Sequence, residues 1–327
     1  MGSLLSHYRG EEPLRINVFE GWGGHSEESK AELQAIVARY AAADRGRFTL
    51  CYHNLEKFIE PYAELILNRD KSRWNVFTWT PIFTPLILSD AEGPCIHFDI
   101  DMLFNADITE LFEVFAAGKN TEDGGQSQST NSVPLIACTY EYDKYSDNAG
   151  KVIWEKGILP PEVERYFNTG VLVFNTAACR AERTWEKIVD WYRENYAIAD
   201  RIEQDAWNAL YHDRCVALPV AWNFHDRAIK NYAKWDLRKK YWLGNPPCEC
   251  LEAALKPKLL HFWGPKKPWK VSHRPYRKLY HAAMAAVGQS VPMEPPLACC
   301  YNLKNAFDLW RCRRRRKAGC RVKSPYH

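Results

Sequence analysis

The residues best suited to chemistry lie in two distant segments, Asp99-Ile100-Asp101 and His261-Phe-Trp-Gly-Pro-Lys-Lys-Pro-Trp269. An imidazole can ligate a divalent metal, a glycine lets backbone approach a phosphate closely, and a lysine supplies a positive point charge for that phosphate. Two carboxylates on one side of a chain can chelate a hard cation, which in turn bridges phosphates. The two segments together predict a site for a metal-bound diphosphate.

Asp99 and Asp101 follow an apolar segment, residues 95–98, that is typical of a buried strand. In extended backbone, residues two apart share a face, so both carboxylates are expected to point the same way while Ile100 points into the sheet. A lone D-x-D arises by chance about once in a chain of this size and is then more often a solvated turn. Adding the imidazole of His261 favours Mn²⁺ over Ca²⁺.

Composition limits the class of protein. The 327 residues are 46% hydrophobic, which suffices for one large domain or two modest ones. No run approaches the roughly 18 apolar residues of a membrane-spanning helix, and the N-terminus lacks the pattern of a secretory signal. The odd count of eleven Cys favours reduced thiols in a cytosol. Cys248 and Cys250 with His261 leave a zinc site as a less favoured alternative, because a fourth ligand is missing.

The C-terminal tail differs in charge from the rest of the chain. Residues 301–327 carry a net charge of +8, whereas the preceding residues carry −4. Leu303, Phe307 and Trp310 are spaced at i, i+4 and i+7, which predicts one apolar face of a helix. A basic helix of this kind is typical of binding to an anionic membrane surface, so we predict that role for residues 301–323. Nucleic-acid binding and a disordered solubilising tail are the alternatives, and no nucleic acid is expected because the body is acidic.

Periodicity along the chain indicates alternating strands and helices. Apolar segments read as strands at residues 14–19, 48–52, 95–98, 133–138 and 166–175. Ser26 is predicted to cap an amphipathic helix after the first strand, and a shorter helix is predicted around residues 204–211. This alternation predicts an α/β layer fold with a mixed, largely parallel sheet flanked by helices.

At this point the motifs resemble those of the family 8 retaining glycosyltransferases, which include glycogenin-like enzymes and lipopolysaccharide galactosyl- and glucosyltransferases. The matching segments occur in the family order: HFDIDMLF at 97–104, YFNTGVLVFN at 166–175, EQDAWNAL at 203–210, LPVAWNF at 218–224 and HFWGPKKPW at 261–269. The resemblance covers roughly residues 4–270 and implies a GT-A fold, the fold of nucleotide-diphospho-sugar transferases. We assign residues 1–290 to this domain, which is expected to be incomplete at its N-terminus, and residues 291–327 to the basic amphipathic tail.

The resemblance also implies residue roles. Mn²⁺, or Mg²⁺ in its place, is expected on Asp99, Asp101 and His261. The UDP-sugar donor is expected to contact Gly264, Lys267, Asp99 and Ile100. Asn168, Gln204 and Asp205 match positions that line the donor sugar or the acceptor, and they are the predicted catalytic residues. The amide of Gln204 is a poor nucleophile, so same-face attack on the sugar is favoured over a covalent intermediate.

The resemblance has three departures, one of which is that residues 80–86 lack the Arg that family members usually carry in the helix before the metal strand. Family members open with an apolar strand that grips uridine, and this chain is expected to begin at the helix that follows that strand. The common Asp-Gln-Asp is Glu203-Gln204-Asp205 here. The predicted function is hexose transfer from a UDP-sugar to a glycan or glycolipid, in lipopolysaccharide or surface polysaccharide synthesis, in the cytoplasm or on the inner face of the plasma membrane. The alternative is a catalytically deficient sugar- or nucleotide-binding protein with a membrane-associating tail.

Overall fold

The computed structural model of the chain confirms an α/β architecture, with strands flanked by helices. It describes residues 1–21, 24–43, 47–66, 76–91, 93–115, 133–143, 153–226, 228–229, 247–264, 267–270, 274–289 and 297–317. The parts of the predicted tail site beyond residue 317, with Arg321 and Lys323, lie outside the described residues.

Nine strands are described, and they form three sheets. In chain order they are β1 Leu14–Glu20, β2 Phe48–Asn54, β3 Cys95–Phe98, β4 Met102–Phe104, β5 Ile136–Asp143, β6 Arg165–Phe174, β7 Cys215–Ala217, β8 Phe224–His225 and β9 Leu259–His261. The sheet orders are β1-β2, β3-β6-β5-β7 and β4-β9-β8.

Helices lie between and around these strands. The described α-helices are α1 Gly2–His7, α2 Glu27–Ala43, α3 Glu56–Ile59, α4 Ala63–Ile66, α5 Thr80–Ile87, α6 Thr109–Phe112, α7 Thr176–Ala181, α8 Thr184–Glu194, α9 Glu203–Tyr211, α10 Pro247–Leu255, α11 Arg277–Ala286 and α12 Leu297–Lys317. The Oγ of Ser26 accepts from the backbone N–H of Ser29, which confirms the predicted cap of α2.

The sheets are mixed, as expected, but parallel pairing does not predominate in the part of the chain described. The pairs β1–β2, β5–β7 and β8–β9 are parallel, and the pairs β3–β6, β4–β9 and β5–β6 are antiparallel. The consecutive strands β5 and β6 pair antiparallel, and the other two antiparallel pairs arise because β6 and β9 return to strands far back in the sequence, β3 and β4. A β-α-β reading considers only neighbouring elements and therefore misses such returns.

The largest core lies between the four-stranded sheet and helices α5, α8 and α9. Its fully buried side chains include Phe167 and Phe174 of β6, Phe83 of α5, Ile188 of α8 and Trp207 of α9. Burying large aromatic and aliphatic side chains is the main favourable term in holding helices onto a sheet. This core therefore fixes the position of α9 against β6, and both elements carry predicted site residues.

The basic tail is helical, as predicted, and one of its faces packs on the body. In α12, Asp308, Leu309 and Cys312 turn towards a core that includes Leu251 of α10, and Cys312 is fully buried. The opposite face leaves Leu303 67%, Phe307 52% and Trp310 48% exposed, which are the three residues predicted to form an apolar face. Among the described residues, no helix combines the length and apolar character that crossing a membrane requires.

Candidate metal and diphosphate site

The structure brings Asp99, Asp101 and His261 together. One ligand atom from each lies within 4.8 Å of the other two. The Nε2 of His261 is 3.6 Å from an Oδ of Asp99 and 3.3 Å from an Oδ of Asp101. Two carboxylate oxygens and an imidazole nitrogen match the ligand preferences of Mn²⁺ and Mg²⁺ better than those of a soft metal. The donor set therefore fits the cation that the sequence predicts.

Strand register explains why residues so far apart in sequence meet. Strand β3 pairs with β6, so Asp99, just past the end of β3, donates its N–H to the carbonyl of Gly170 at 2.9 Å. Strand β4 pairs with β9, with Met102 opposite His261, and the N–H of Phe262 donates to the carbonyl of Asp101 at 2.9 Å. Two antiparallel ladders thus deliver the two carboxylates and the imidazole to one place.

Ile100 does not point into the sheet, so this prediction was wrong. Its side chain is 102% exposed, and the backbone turns at residues 100–101 between β3 and β4. Residues two apart share a face only in extended backbone, and the chain from Asp99 to Asp101 is not extended. The two carboxylates converge because a turn folds the chain back, and Ile100 is left at the outer rim of the site.

Lys267 lies in the site and contacts Asp101. Its Nζ donates to Oδ2 of Asp101 and, at 3.0 Å, to the carbonyl of Phe262. Burial acts to raise the pKa of Asp101, but hydrogen bonds and positive charge from His261 and Lys267 outweigh it and hold that pKa well below its ordinary value. Burial acts to lower the pKa of His261, but Asp101 and Asp99 outweigh it and raise that pKa. The lowered pKa keeps Asp101 ionised, so its negative charge is available to a bound cation.

Gly264 follows β9 and has a φ of 83°. Only glycine adopts this left-handed conformation readily, so the backbone geometry favours a residue without a side chain at this position, three residues after His261. The adjoining residues 265 and 266 of the nonapeptide lie outside the described residues. The predicted contact of Gly264 with a diphosphate stays a prediction.

Asn168 and Gln204 meet in a buried network of amides. The Nδ2 of Asn168 donates to the Oε1 of Gln204 at 3.0 Å. That same Oε1 also accepts from the N–H and the Oγ1 of Thr169, each at 3.2 Å. Asn168 is 6% and Gln204 7% exposed. Because the Gln204 carbonyl already accepts several hydrogen bonds, its lone pairs are poorly placed to attack a sugar.

Asp205 has its carboxylate occupied by its own surroundings. One oxygen accepts from the hydroxyl of Tyr166 at 2.6 Å, and the other accepts from the backbone N–H groups of Asp200 and Arg201 at 2.7 and 2.8 Å. The side chain is fully buried. Asp205 is the third residue of α9, where an acidic side chain satisfies free N–H groups of the preceding turn. This geometry suits a residue that fixes the start of α9.

Sequence reasoning missed Glu141, Asn223 and the partners of Glu203. Glu141 lies where the β5–β6 register shifts between Tyr140 and Tyr142, and a bulge of this kind re-aims a side chain. It accepts from Asn168 and Gln204 at 3.2 and 3.3 Å. The Oε1 of Glu203 lies 3.1 Å from the Oγ1 of Thr169 and competes with Gln204 for its single hydroxyl proton. Burial, followed by the charge of Asp99, raises the pKa of Glu203. Asn223 lies within the LPVAWNF segment, which was the only available signal for it.

The zinc alternative finds no support among the described residues. The only cluster of three or more His, Cys, Asp or Glu with suitably placed ligand atoms in that part of the chain is the one formed by Asp99, Asp101 and His261. Cys250 is buried, whereas Cys248 is exposed. His261 therefore serves the carboxylate site.

Comparison with known proteins identifies the family. The glycosyl transferase family 8 profile matches residues 26–272, which is more than half of the chain. Glycosyltransferase 8 domain-containing protein 2 of Homo sapiens is 27% identical over 194 residues, which cover 57% of this chain and 52% of that protein. General stress protein A of Bacillus subtilis is 23% identical over 211 residues, which cover 61% of each chain. The match spans about half the length of the first of these relatives.

Solved structures show the same fold. The WbbM bifunctional glycosyltransferase superposes with a TM-score of 0.60 at 17% identity, covering 93% of this chain and 48% of that one. The galactosyltransferase LgtC, solved with donor and acceptor sugar analogs, superposes with a TM-score of 0.59 at 19% identity, covering 90% of this chain and 91% of that one. At such identities the likeness shows the fold alone, which is GT-A. The profile match over residues 26–272 shows that the chain belongs to glycosyl transferase family 8.

Proposed function

We propose that this chain transfers a hexose from a UDP-sugar to a glycan or glycolipid acceptor, with retention of configuration and with Mn²⁺ or Mg²⁺. The observation that carries the proposal is the convergence of Asp99, Asp101 and His261 beside Lys267. The proposed setting is lipopolysaccharide or surface polysaccharide synthesis on the cytoplasmic side of the membrane. The structural neighbour LgtC, a galactosyltransferase solved with donor and acceptor sugar analogs, supports the proposal of a sugar donor and a sugar acceptor.

Each residue of the site has a proposed task. Asp99, Asp101 and His261 would hold the cation, which when bound neutralises charge on the leaving diphosphate. Lys267 would exchange part of its contact with Asp101 for the diphosphate and stabilise the charge that develops on it.

The amides would act on the sugar rather than on the diphosphate. Asn168 and Gln204 present a rigid polar surface, which would orient the donor sugar or the acceptor hydroxyl. Because the Gln204 oxygen is already hydrogen-bonded, we favour attack by the acceptor on the same face that the diphosphate leaves. For Asp205 we propose a positioning role at the start of α9 in place of the catalytic role.

The proposed function is tested with the full chain and a panel of UDP-hexoses. We expect Mn²⁺-dependent release of UDP, by transfer or by slow hydrolysis, that stops when a chelator is added and returns with excess Mn²⁺. A catalytically deficient binding protein would instead bind UDP with Mn²⁺ in calorimetry and release no product from any sugar nucleotide. That second outcome would replace the transferase with the binding module.

We also propose that α12 holds the protein at an anionic membrane surface. Phe307 and Trp310 are stacked with ring centroids 5.6 Å apart, and Arg311 and Arg314 lie over these rings at 5.7 and 5.0 Å. Exposed aromatic rings flanked by guanidinium groups are suited to the boundary between lipid headgroups and acyl chains.

Flotation with vesicles tests the tail. We expect the wild-type chain to float with phosphatidylserine vesicles, and Phe307→Ser with Trp310→Ser to lose most of that binding. Leu279→Ser is the matched control, because Leu279 is 38% exposed but lies on α11 outside the basic tail. Equal flotation of the double variant and the wild type, or equal binding to neutral vesicles, would contradict this role.

A further inference from the structure

We propose that Asn168 and Asn223 are positioning residues that hold His261 in its Nδ1–H tautomer, so that Nε2 is the atom that binds the cation. The proposal rests on the metal-dependent function proposed above and deepens it. It assigns a task to Asn223, and it gives Asn168 a task in addition to any contact with the sugar.

A chain of hydrogen bonds, here called the relay, runs from Gly170 through the amides of Asn168 and Asn223 to His261. It starts at a backbone group that can only donate. The backbone N–H of Gly170 donates to the Oδ1 of Asn168 at 2.9 Å, and a backbone N–H can only donate. On its other side, the Nδ2 of Asn168 donates to the Oε2 of Glu141 at 3.2 Å and to the Oε1 of Gln204 at 3.0 Å. The orientation of the Asn168 amide is therefore fixed from both ends.

The side-chain amide of Asn223 is oriented by Asn168 and in turn orients His261. The Nδ2 of Asn223 donates to the Oδ1 of Asn168 at 2.7 Å, so the Oδ1 of Asn223 is turned the other way. That oxygen lies 2.9 Å from the Nδ1 of His261. A carbonyl oxygen only accepts, so Nδ1 must carry a proton. In a neutral ring the lone pair is then on Nε2, which is the nitrogen that faces Asp99 and Asp101.

Burial makes it costly to reverse the order of donors and acceptors along the relay. Asn168 is 6%, Asn223 4% and His261 3% exposed, so bulk water has little access to replace a lost bond. Reversing the Asn223 amide would set two carbonyl oxygens against each other near Asn168, and would leave buried polar groups unsatisfied. The other tautomer of His261 would direct an N–H at the cation. Outer partners that orient a ligating His in this way are worth about 10–100-fold in metal affinity.

The tautomer is measured directly in the wild-type protein. We expect ¹⁵N-histidine NMR of the full chain saturated with Mg²⁺, which is diamagnetic, to show a protonated Nδ1 and an Nε2 that carries no proton. The His261 signal is assigned by its loss in His261→Asn. A ring protonated mainly at Nε2 would overturn the proposal, and this measurement does not depend on the folding of any positioning variant.

The contribution of Asn223 is measured through metal affinity, with free Mn²⁺ followed by EPR. Asn223→Leu keeps the approximate shape of the side chain, and we expect it to bind Mn²⁺ about 10–100-fold more weakly than the wild type. Asn208→Leu is the matched control. Asn208 is also fully buried. Its Oδ1 accepts from the N–H of Phe167 at 2.7 Å and its Nδ2 donates to the carbonyl of Phe167 at 2.9 Å, but Asn208 lies outside the relay.

We expect Asn208→Leu to lose stability and to keep its Mn²⁺ affinity. Wild-type Mn²⁺ affinity in Asn223→Leu, or equal weakening in both variants, would overturn the positioning role. Neither NMR nor EPR needs a sugar donor. A protein with the expected tautomer and metal affinity that transfers no sugar would therefore contradict the proposed function and leave this inference standing.

Discussion

Asp101→Asn is expected to lower the affinity for Mn²⁺ by more than about a hundredfold and to lower transferase activity in parallel, because loss of a direct ligand exceeds the cost of losing an outer partner. Asp101 has a double role in the structure. One of its oxygens is 3.3 Å from the Nε2 of His261, and the other accepts from Lys267. The amide would keep the size of the side chain, but it would lose the negative charge that both partners share.

The charge balance of the site explains why this position matters more than Asp99. The side chain of Asp101 is 14% exposed and that of Asp99 is 45% exposed, so water screens Asp101 less. Without Asp101, the ammonium of Lys267 and the ring of His261 would be near each other with only Asp99 to compensate them. Both the cation and the leaving diphosphate would then lose a partner.

A surface substitution separates this effect from a general loss of charge. Asp190→Asn removes a carboxylate that is 64% exposed and paired with Arg193 on α8. We expect this control to keep both Mn²⁺ affinity and activity, because an exposed ion pair contributes little. The measurement is Mn²⁺ titration followed by EPR, with UDP release assayed at saturating Mn²⁺. Unchanged affinity in Asp101→Asn would remove Asp101 from the ligand set.

Gly170→Ala is expected to reduce activity on the order of a hundredfold and to weaken Mn²⁺ binding, although it adds only one methyl group. A Cβ at this position would lie 2.7 Å from Cε1 of His261, 2.8 Å from Oδ2 of Asp99 and 2.9 Å from Oδ1 of Asn168. Carbon and oxygen atoms do not approach so closely without a bond. At least one ligand must therefore move, and a displacement of about 1 Å in such a site can cost about 10²-fold in rate.

The effect should be local to the site. Overpacking a buried position costs about 1–3 kcal/mol of stability, so the variant is expected to fold. Gly93→Ala is the matched control, because a Cβ there would meet no atom within 4 Å. Thermal unfolding and Mn²⁺ affinity are measured for both variants. Wild-type metal binding in a folded Gly170→Ala would mean that the three residues do not share an ion.

The three candidate metal ligands could be predicted from the sequence because the patterns that contain them are local. Two carboxylates at the end of an apolar segment and an imidazole followed by Gly and Lys each limit the possible function. Asn168 and Gln204 are also predicted site residues, through the resemblance of their segments to a family. Helix periodicity likewise predicted the tail, and its apolar face is exposed as expected.

The sequence by itself thus determined which residue types are available and which elements carry them. The tertiary structure decided their directions and partners. Three features depend on strand register and on contacts between distant residues. They are the turn that exposes Ile100, the bulge that orients Glu141, and the hydrogen bonds at the start of α9 that occupy the carboxylate of Asp205. The amide relay from Asn168 through Asn223 to His261 is of the same kind. A hydrogen bond between residues far apart in sequence has no local pattern, so only the folded chain defines it.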